Sequence, residues 1–419
     1  MPCEPQPLPP DEATLAALPE GVPPLTTLYL YIAGACNLAC RHCWISPTFD
    51  PAASSGRFLS LEHARKAVEQ GKPLGLSSVK LTGGEPLLHP RFRELVALLA
   101  DAGLGITIET NGTLIDENLA RFLREKKAGF VSVSLDGADA ATHDTLRGVP
   151  GSFGRAVAGL RALAEAGFQP QAICTLHRGN AHQMAEVVSL AQSLGCGSVK
   201  FNHVQSMGRG ERMRADAGLD PAEVLALYRR MERDLVPGCP IPLHFDIPFA
   251  FRPVRALLKG DLGRCGILGI LGVLSGGELA LCGVGVTVPE LVYGHLETDD
   301  LAEVWCNAPG LRDLRRLVPK QLGGICGRCV HRDFCMAECV AQVFFQEGRL
   351  NAAFPFCASL EERGVFPASR LRAEACERSP EGRACPPEPS IAREGLTPSR
   401  SRARGGMALS ADATNGGDP

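Results

Sequence analysis

Short apolar segments alternate with longer amphipathic segments along the first 245 residues of the chain. The apolar segments carry β-branched residues and are flanked by Gly, Pro or Ser, which is typical of buried strands; they are residues 27–33, 78–82, 105–110, 130–135, 170–176 and 198–202. Helical periodicity follows most of them, over residues 60–70, 90–102, 116–126, 153–166, 181–194 and 221–235. This alternation predicts an α/β fold with a parallel sheet, and six units instead of eight predict a partial (β/α)6 TIM-like barrel. Functional groups are then expected at the carboxyl ends of the strands.

The pattern changes after residue 245. Glycines are frequent between residues 263 and 288, a hairpin is predicted with its turn at residues 275–277, and cysteines punctuate the chain from 326 to 357. From about residue 377 the chain is rich in Pro, Arg, Ser and Gly and has no core pattern. We therefore predict a flexible segment at 1–25, the barrel at 26–245, a small Cys-rich domain at 246–365 and a disordered tail at 366–419.

Composition excludes several classes of protein. The chain has 419 residues and a formal net charge of −3, so a nucleic-acid partner is disfavoured. It has no apolar run long enough to span a membrane, and its acidic, Pro-rich start does not resemble a signal peptide. We predict a cytoplasmic protein without a nucleic-acid or membrane partner. Its 17 cysteines are then expected to be thiols or metal ligands instead of disulfides.

Three of the cysteines follow the first predicted strand. Cys36, Cys40 and Cys43 form a C-x3-C-x2-C array. Three thiolates can hold three irons of a [4Fe–4S] cluster and leave the fourth iron open to another ligand. The alternatives are a zinc site or chance spacing. Zinc prefers four closed ligands, and neither a fourth Cys nor a clear fourth His lies nearby.

This array resembles the signature of the radical S-adenosylmethionine (SAM) superfamily. The resemblance implies that the open iron chelates the amino and carboxylate groups of SAM. An electron from the reduced cluster then cleaves the S–C5′ bond and releases a 5′-deoxyadenosyl radical. The sequence Gly83, Gly84, Glu85 and Pro86 follows the second strand and resembles the GGEP motif of that family. The resemblance implies that Glu85 pairs with the SAM ammonium, and glycines permit a close approach of the backbone.

Further residues at predicted strand ends are expected to contact SAM. By resemblance, Ser134 and Arg147 contact its ribose and carboxylate. Asn111 and Asp136 lie at corresponding places, although Asn-Gly and Asp-Gly are also ordinary turn dipeptides. A general base cannot be named, because His203, Arg209 and Asp246 fall near strand ends or the domain junction and are more simply read as structural.

Seven later cysteines resemble the pattern of the SPASM domain; they are Cys265, Cys282, Cys326, Cys329, Cys335, Cys339 and Cys357. The resemblance implies two auxiliary [4Fe–4S] clusters with interleaved ligands. One is held by Cys326, Cys329, Cys335 and Cys357, and the other by Cys265, Cys282 and Cys339. The fourth position of the latter stays open, or is completed by Cys239, Cys306 or a group other than cysteine. The alternative for residues 326–339 is a four-thiolate zinc site.

The resemblance implies maturation of a ribosomal peptide or protein, with a flavodoxin- or ferredoxin-type electron donor. Sulfatase maturation is disfavoured, because Gly283 stands where that branch has an aspartate. Two alternatives remain from the sequence alone. One is a radical SAM enzyme acting on a tetrapyrrole or small metabolite, and the other is a non-catalytic electron-transfer or zinc-scaffold protein.

Overall fold

The structure is a computed structural model, which describes residues 7–50, 52, 57–258 and 265–372. Its strands are β1 (Thr27–Ala33), β2 (Ala35–Cys36), β3 (Thr48–Phe49), β4 (Ser78–Gly83), β5 (Gly105–Thr110), β6 (Phe130–Ser134), β7 (Gln171–Leu176), β8 (Ser198–His203), β9 (Leu243–Phe245), β10 (Ile270–Val273), β11 (Glu278–Ala280) and β12 (Val292–His295). The six strands predicted for the barrel are present, with ends that differ from the predicted ones by no more than one residue.

One large sheet organises the molecule. Its order is β12-β11-β10-β1-β4-β5-β6-β7-β8-β9, and the pairs from β10 to β9 through the barrel strands are all parallel. Since β12 and β9 form the two edges, the sheet does not close on itself. The α/β class and the partial barrel are confirmed.

The helices cover the outer face of this sheet. They are α1 (Glu12–Ala17), α2 (Leu61–Gly71), α3 (Phe92–Asp101), α4 (Glu117–Glu125), α5 (Ala140–Arg147), α6 (Ser152–Glu165), α7 (Met184–Ser193), α8 (Arg209–Ala217), α9 (Pro221–Arg230), α10 (Val254–Leu258), α11 (Leu301–Asn307), α12 (Pro309–Leu317), α13 (Gly324–Arg328), α14 (Arg332–Cys335), α15 (Val340–Glu347) and α16 (Pro355–Glu362). Side chains cap several amino termini: Ser60 accepts from the amide of His63, and Asp116 from that of Leu119. Among the described residues, every helix falls short of the length and apolar character that a membrane span needs.

The two faces of the barrel strands differ in polarity, because successive side chains point to opposite sides. Leu28, Leu30 and Ile32 of β1 are fully buried in the core beneath the helices. The polar side chains of other strands are paired with one another across the sheet. Lys80 on β4 forms an ion pair with Glu109 on β5 at 3.1 Å between Nζ and Oε1.

The C-terminal region continues the barrel sheet. Strand β10 runs parallel to β1, and the predicted hairpin is confirmed as the antiparallel pair β10–β11. The strands after residue 265 therefore extend the barrel sheet beyond β1. The predicted domain boundary at residue 245 stays a prediction. Short helices separate the later cysteines, as the sequence predicts.

Two segments are more ordered than the sequence predicts. Residues 7–25, predicted to be flexible, include α1, and the carbonyl of Pro23 accepts a hydrogen bond from the Trp305 indole at 2.9 Å. Residues 366–372, predicted to begin the tail, pair with the Cys-rich region through a bridge between Leu371 and Cys329. Residues 1–6 and 373–419 lie outside the described residues. Helices α5 and α8 were not predicted, because both are short and α8 buries only Gly210 and Met213.

The joint between β10 and β1 supplies a stability prediction. Leu271 faces Leu28 across this parallel pair, and both side chains are fully buried. We expect Leu271→Ala to lower the free energy of unfolding by about 2–5 kcal/mol, because it leaves a cavity in the core. Urea denaturation of the reconstituted protein measures it. Leu15→Ala, at a half-exposed site in α1, is the control and should change stability by less than about 0.5 kcal/mol. Equal losses of unfolding free energy in the two variants would contradict the importance of packing between β10 and β1.

Candidate active site

A cysteine loop, residues 36–46, crosses the carboxyl ends of the barrel strands. It is held there by backbone hydrogen bonds to three separate segments, namely the turn after β4, the end of α5 and the start of α8. The amide of Glu85, after β4, donates to the carbonyl of Ala35 at 2.9 Å. The amide of Ala39 donates to the carbonyl of Arg147 in α5 at 3.1 Å, and the amide of Arg209 in α8 donates to the carbonyl of Cys43 at 2.9 Å. The fold thus fixes the path of all three cysteines.

Hydrogen-bond donors approach two of the three sulfurs. The Sγ of Cys36 accepts from the amide of Leu38 at 3.4 Å and lies 3.9 Å from Nδ2 of Asn111. The Sγ of Cys40 lies 3.6 Å from Nη1 of Arg147. Donors of this kind stabilise a negatively charged sulfur.

Burial has the opposite effect, because it favours the neutral form of the free thiols. It raises the pKa of Cys36 to about 12 and also raises the pKa of Cys40, so both are protonated at neutral pH in the absence of a metal. Metal ligation releases that proton. No three His, Cys, Asp or Glu side chains in the described part of the chain are arranged to hold a single metal ion. Since each thiolate of a [4Fe–4S] cluster binds a different iron, such a cluster does not require that arrangement.

The glycines after β4 pack directly on the chain that enters the cysteine loop. Gly83 has a φ of +131°, which a residue with a side chain rarely adopts. A Cβ atom added at Gly84 would lie 2.0 Å from the carbonyl oxygen of Ala35. A side chain at Gly83 would meet the β1 backbone at Ala33, and one at Gly84 would require movement of the chain that enters the cysteine loop. The sequence predicted that these glycines permit close approach, and the structure shows that the approaching group is backbone next to Cys36.

Glu85 is fully buried and joins the ends of β4 and β5. Its carboxylate accepts hydrogen bonds from the Thr110 hydroxyl at 2.6 Å and from the amides of Asn111 and Leu87 at 2.8 and 3.1 Å. Burial raises its pKa to about 7 despite these bonds. Pro86 is buried and begins the turn that follows. Contact of Glu85 with SAM stays a prediction, because three donors of the protein already bind this carboxylate.

Asp136 and Arg147 form a buried ion pair behind Cys40. The distance between Nε of Arg147 and Oδ2 of Asp136 is 2.6 Å, and the amide of Thr175 donates to Oδ1 at 2.8 Å. Burial favours the neutral form of Asp136, but the guanidinium of Arg147, together with two neighbouring imidazoles and the amide of Thr175, outweighs it, and the pKa of this carboxyl falls to about 2. The pair is therefore ionised at every pH at which the protein is expected to work.

The remaining predicted SAM contacts lie at the same end of the sheet. Asn111 donates from Nδ2 to the side-chain oxygen of Asn37 at 2.8 Å and accepts from the Thr113 hydroxyl at 2.7 Å, so it supports the cysteine loop. Ser134 ends β6 and is half-buried, and its hydroxyl makes no hydrogen bond to another described residue. The structure thus brings together all the residues that the sequence grouped around the first three cysteines.

Comparison with known proteins agrees with this geometry. The family model for the radical SAM superfamily matches residues 30–191. The AdoMet-dependent heme synthase of Methanosarcina barkeri is 30% identical over 342 residues, which cover 78% of this chain and 94% of that protein. The chain belongs to the radical SAM superfamily. Membership makes it an enzyme and implies SAM and a [4Fe–4S] cluster as cofactors, which sets aside a non-catalytic scaffold.

Other relatives of this radical SAM enzyme are named as maturases. The mycofactocin maturase MftC of Mycobacterium ulcerans is 31% identical over 343 residues, covering 77% of this chain and 85% of that protein. Among solved structures, SuiB of Streptococcus suis bound to its precursor peptide SuiA superposes with a TM-score of 0.63 at 17% identity. That match covers 80% of this chain and 76% of SuiB, and it shows a shared fold.

The seven later cysteines fall into two groups in this radical SAM fold. Cys326, Cys329, Cys335 and Cys357 line one small cavity together with apolar residues. The thiols of Cys265, Cys282 and Cys339 lie within electrostatic reach of one another, and burial raises the pKa of Cys282 to about 12 and that of Cys339 to about 11. These are the two sets that the SPASM resemblance implies. The assignment of each set to a cluster stays a prediction.

Several buried polar atoms near this site make no hydrogen bond to the described residues, and Arg209, considered above as a general base, is one of the residues that carry them. They are Nδ1 of His42, Nε2 of His177, Oδ1 of Asn202, Oε1 of Gln205, and Nε and Nη2 of Arg209. Buried polar groups are normally hydrogen-bonded, so unpaired ones indicate a bound polar ligand. The imidazole of His42, whose Nε2 lies 4.0 Å from Oδ2 of Asp136, is the member of this set beside the predicted SAM contacts. A strand-end position was the only signal for them in the sequence.

The contact between Gly84 and Ala35 gives a prediction for the radical SAM site. We expect Gly84→Ala to lower the free energy of unfolding by about 3 kcal/mol, because the new Cβ meets backbone that cannot move without the cysteine loop. It should also abolish formation of 5′-deoxyadenosine from SAM. Iron analysis, urea denaturation and product chromatography measure these effects. Gly154→Ala, which adds a Cβ in open space on α6, is the matched control and should retain stability and activity.

The Asp136–Arg147 pair gives a second prediction. We expect Arg147→Gln to cost about 3–5 kcal/mol of unfolding free energy, because it leaves Asp136 buried and charged without its partner. The double variant Arg147→Gln with Asp136→Asn should recover part of that loss, since neither residue is then charged. Denaturation of the single and double variants measures both values. Additive losses would show that the two residues do not act as a pair.

Proposed function

We propose that this radical SAM enzyme modifies a peptide or protein during ribosomal peptide maturation. The similarity to the mycofactocin maturase MftC along most of both chains carries the proposal. The clustering of the motif residues at one end of the barrel supports it, because cofactor-dependent chemistry needs its binding groups in one place. A cavity of about 810 Å³ reaches the amino ends of the barrel strands at Thr27, Ser78 and Gly105 and is also lined by Cys265 and Cys339, so it adjoins one of the later groups of cysteines and not the cysteine loop.

The first three cysteines are proposed to hold the SAM-binding [4Fe–4S] cluster. The SAM site consists of residues that lie around them; these are Gly83, Gly84, Glu85, Pro86, Asn111, Ser134, Asp136 and Arg147. When bound, the cluster and SAM supply a carbon radical that abstracts hydrogen from an unreactive C–H bond.

The protein contributes position and electrostatics to that chemistry. Asp136 fixes the orientation of Arg147, whose Nη1 points at the sulfur of Cys40 and offsets negative charge there. Glu85 ties the β4 and β5 ends together, so that the glycine backbone stays against the cysteine loop. Burial of both carboxylates keeps water away from this end of the barrel.

The two later sets of cysteines are proposed to hold auxiliary [4Fe–4S] clusters. Cys326, Cys329, Cys335 and Cys357 complete one of them. Cys265, Cys282 and Cys339 hold the other, whose fourth position is open or filled by a group other than these. Cys239 and Cys306 are weaker candidates for that position: Cys239 accepts a hydrogen bond from Gln192, and Cys306 lies in α11.

A reducing setting suits this proposal. The cysteines in the described part of the chain are free thiols, which favours a cytoplasmic location. A flavodoxin- or ferredoxin-type protein is the proposed electron donor, because the SAM-binding cluster needs an electron for each cleavage of SAM.

A second candidate substrate is a tetrapyrrole or a small metabolite. It is favoured by the AdoMet-dependent heme synthase of Methanosarcina barkeri, which matches 78% of this chain at an identity close to that of the maturase. Both candidate functions use the same cofactors and the same SAM-binding site. They differ in the substrate, so the molecule whose mass changes in the reaction distinguishes them.

Mass spectrometry of candidate substrates tests the proposal. The protein is co-expressed with short peptides encoded beside its gene, and the peptides are examined for a change in mass. We expect a modified peptide and 5′-deoxyadenosine with the wild-type chain, and neither with Cys36, Cys40 and Cys43 changed to Ala. Cys196→Ala, a buried cysteine outside the three groups, is the control and should remain active. Modification of a porphyrin without modification of any peptide would support the second candidate instead.

A further inference from the structure

Arg209 stands at the end of the barrel that carries the cysteine loop. It is the first residue of α8, which follows β8, the last of the six barrel strands. Its amide donates to the carbonyl of Cys43 at 2.9 Å and to the Ser46 hydroxyl at 2.8 Å. Gly208, with a φ of +56°, turns the chain sharply just before it, and a Cβ there would lie 2.4 Å from the carbonyl of Trp44. The backbone of Arg209 is therefore fixed to the loop of the first three cysteines.

The guanidinium of Arg209 lacks a partner. Its Nε and Nη2 are buried and make no hydrogen bond to the described residues, and no carboxylate among these lies within ion-pair distance. A guanidinium cannot lose its charge at ordinary pH, so the cost of burial cannot be avoided by deprotonation. Arg209 is half-buried, and two of its guanidinium nitrogens are enclosed without an anion among the described residues.

The chemistry of the missing partner follows from the geometry of the donors. Nε and Nη2 form one edge of the planar guanidinium, and this edge matches the two oxygens of a carboxylate. The neighbouring polar groups do not offer an alternative anion. Asn202 and Gln205 are neutral, and their unpaired Oδ1 and Oε1 atoms can accept a hydrogen bond from the amide group of a peptide. The surroundings of Arg209 therefore suit a carboxylate that belongs to a peptide.

Arg209 and the predicted SAM contacts follow different strands, although both adjoin His42, whose Nε2 lies 4.0 Å from Oδ2 of Asp136. Those contacts lie at the ends of β4, β5 and β6, beside Cys36 and Cys40. Arg209 lies two barrel strands beyond β6, beside Cys43. Arg147 is already placed at Cys40 on the SAM side and is neutralised by Asp136, whereas Arg209 has no such acid among the described residues.

We propose that Arg209 binds a carboxylate of the peptide substrate, either its C-terminus or an acidic side chain, and so positions it beside the SAM-binding cluster. This inference rests on the proposed function. It makes Arg209 a substrate-binding residue and requires an anionic group near the C–H bond that reacts. A substrate in which that carboxylate is replaced by an amide should bind poorly.

The test uses small probes and needs no substrate turnover. The reconstituted holoenzyme with SAM is titrated anaerobically with N-acetylglycine, which carries a peptide-type carboxylate, and with N-acetylglycinamide, its neutral counterpart. We expect the wild-type chain to bind the acid and not the amide, and Arg209→Gln to bind the acid at least about tenfold more weakly. Arg209→Lys should bind it with intermediate affinity, because lysine keeps the charge and loses the paired donors.

Two controls distinguish carboxylate binding at Arg209 from a general loss of structure or of SAM binding. Arg212→Gln, at an exposed position of the same helix, should bind the acid as tightly as the wild-type chain. Iron content and SAM affinity show whether the Arg209 variants are folded. The proposal is overturned if N-acetylglycine does not bind the wild-type holoenzyme, or if it binds Arg209→Gln equally well. It is also overturned if Arg209→Gln weakens SAM by about tenfold, since the carboxylate is then that of SAM. Binding of N-acetylglycine is measured without modification of any peptide. A failure to modify peptides, which would count against the proposed function, is therefore a separate result from a failure to bind N-acetylglycine.

Discussion

The attachment of one loop to three separate segments of the barrel is the constraint on which the site depends. The cysteine loop is too short to fold by itself, and its apolar side chains pack in two small clusters. Its path is set by backbone hydrogen bonds at Ala35, Ala39 and Cys43, whose partners follow β4 or belong to α5 and α8. Backbone bonds of this kind do not depend on side-chain rotamers, so they place the three thiols reproducibly. A sheet of parallel strands provides these attachment points because all its carboxyl ends face the same way.

The buried charges around this loop are arranged in a way that limits their cost. Asp136 and Glu85 are both fully buried, yet their pKa values shift in opposite directions. Asp136 has a guanidinium beside it and stays ionised, whereas Glu85 has only neutral donors and titrates near pH 7. A buried carboxylate without a cation is stabilised less, because hydrogen bonds from neutral groups do not replace a counter-charge. Arg147 and Asp136 therefore balance each other, whereas Arg209 has no acid beside it among the described residues; the two arginines contact different parts of the loop.

Much of the fold could be predicted from the sequence, because buried parallel strands are continuous apolar runs and their pattern is local. Gly105–Thr110 was predicted with both of its ends correct. The site was predicted as far as its motifs, but their contacts depend on distant parts of the chain. Glu85 meets Thr110 only through the register of β4 and β5, and Arg147 meets Asp136 only because α5 folds back after β6. The lack of a partner at Arg209 has no signature in sequence, since it is a property of everything that surrounds the residue.

The positions of the two later groups of cysteines also depend on the backbone, which is strained where it passes from one group to the other. Cys335 and Cys339 belong to different groups, although only three residues separate them. Those residues, Met336, Ala337 and Glu338, all have left-handed φ values, of 51°, 60° and 57°. Each such residue costs roughly 1–2 kcal/mol relative to a right-handed conformation, and none of them is a glycine. The turn directs two nearby thiols to different groups, and the proposed iron ligation at both groups would offset its cost. On that proposal the local conformation of this turn depends on metal, whereas the apolar core, which runs from the barrel into the Cys-rich region, does not.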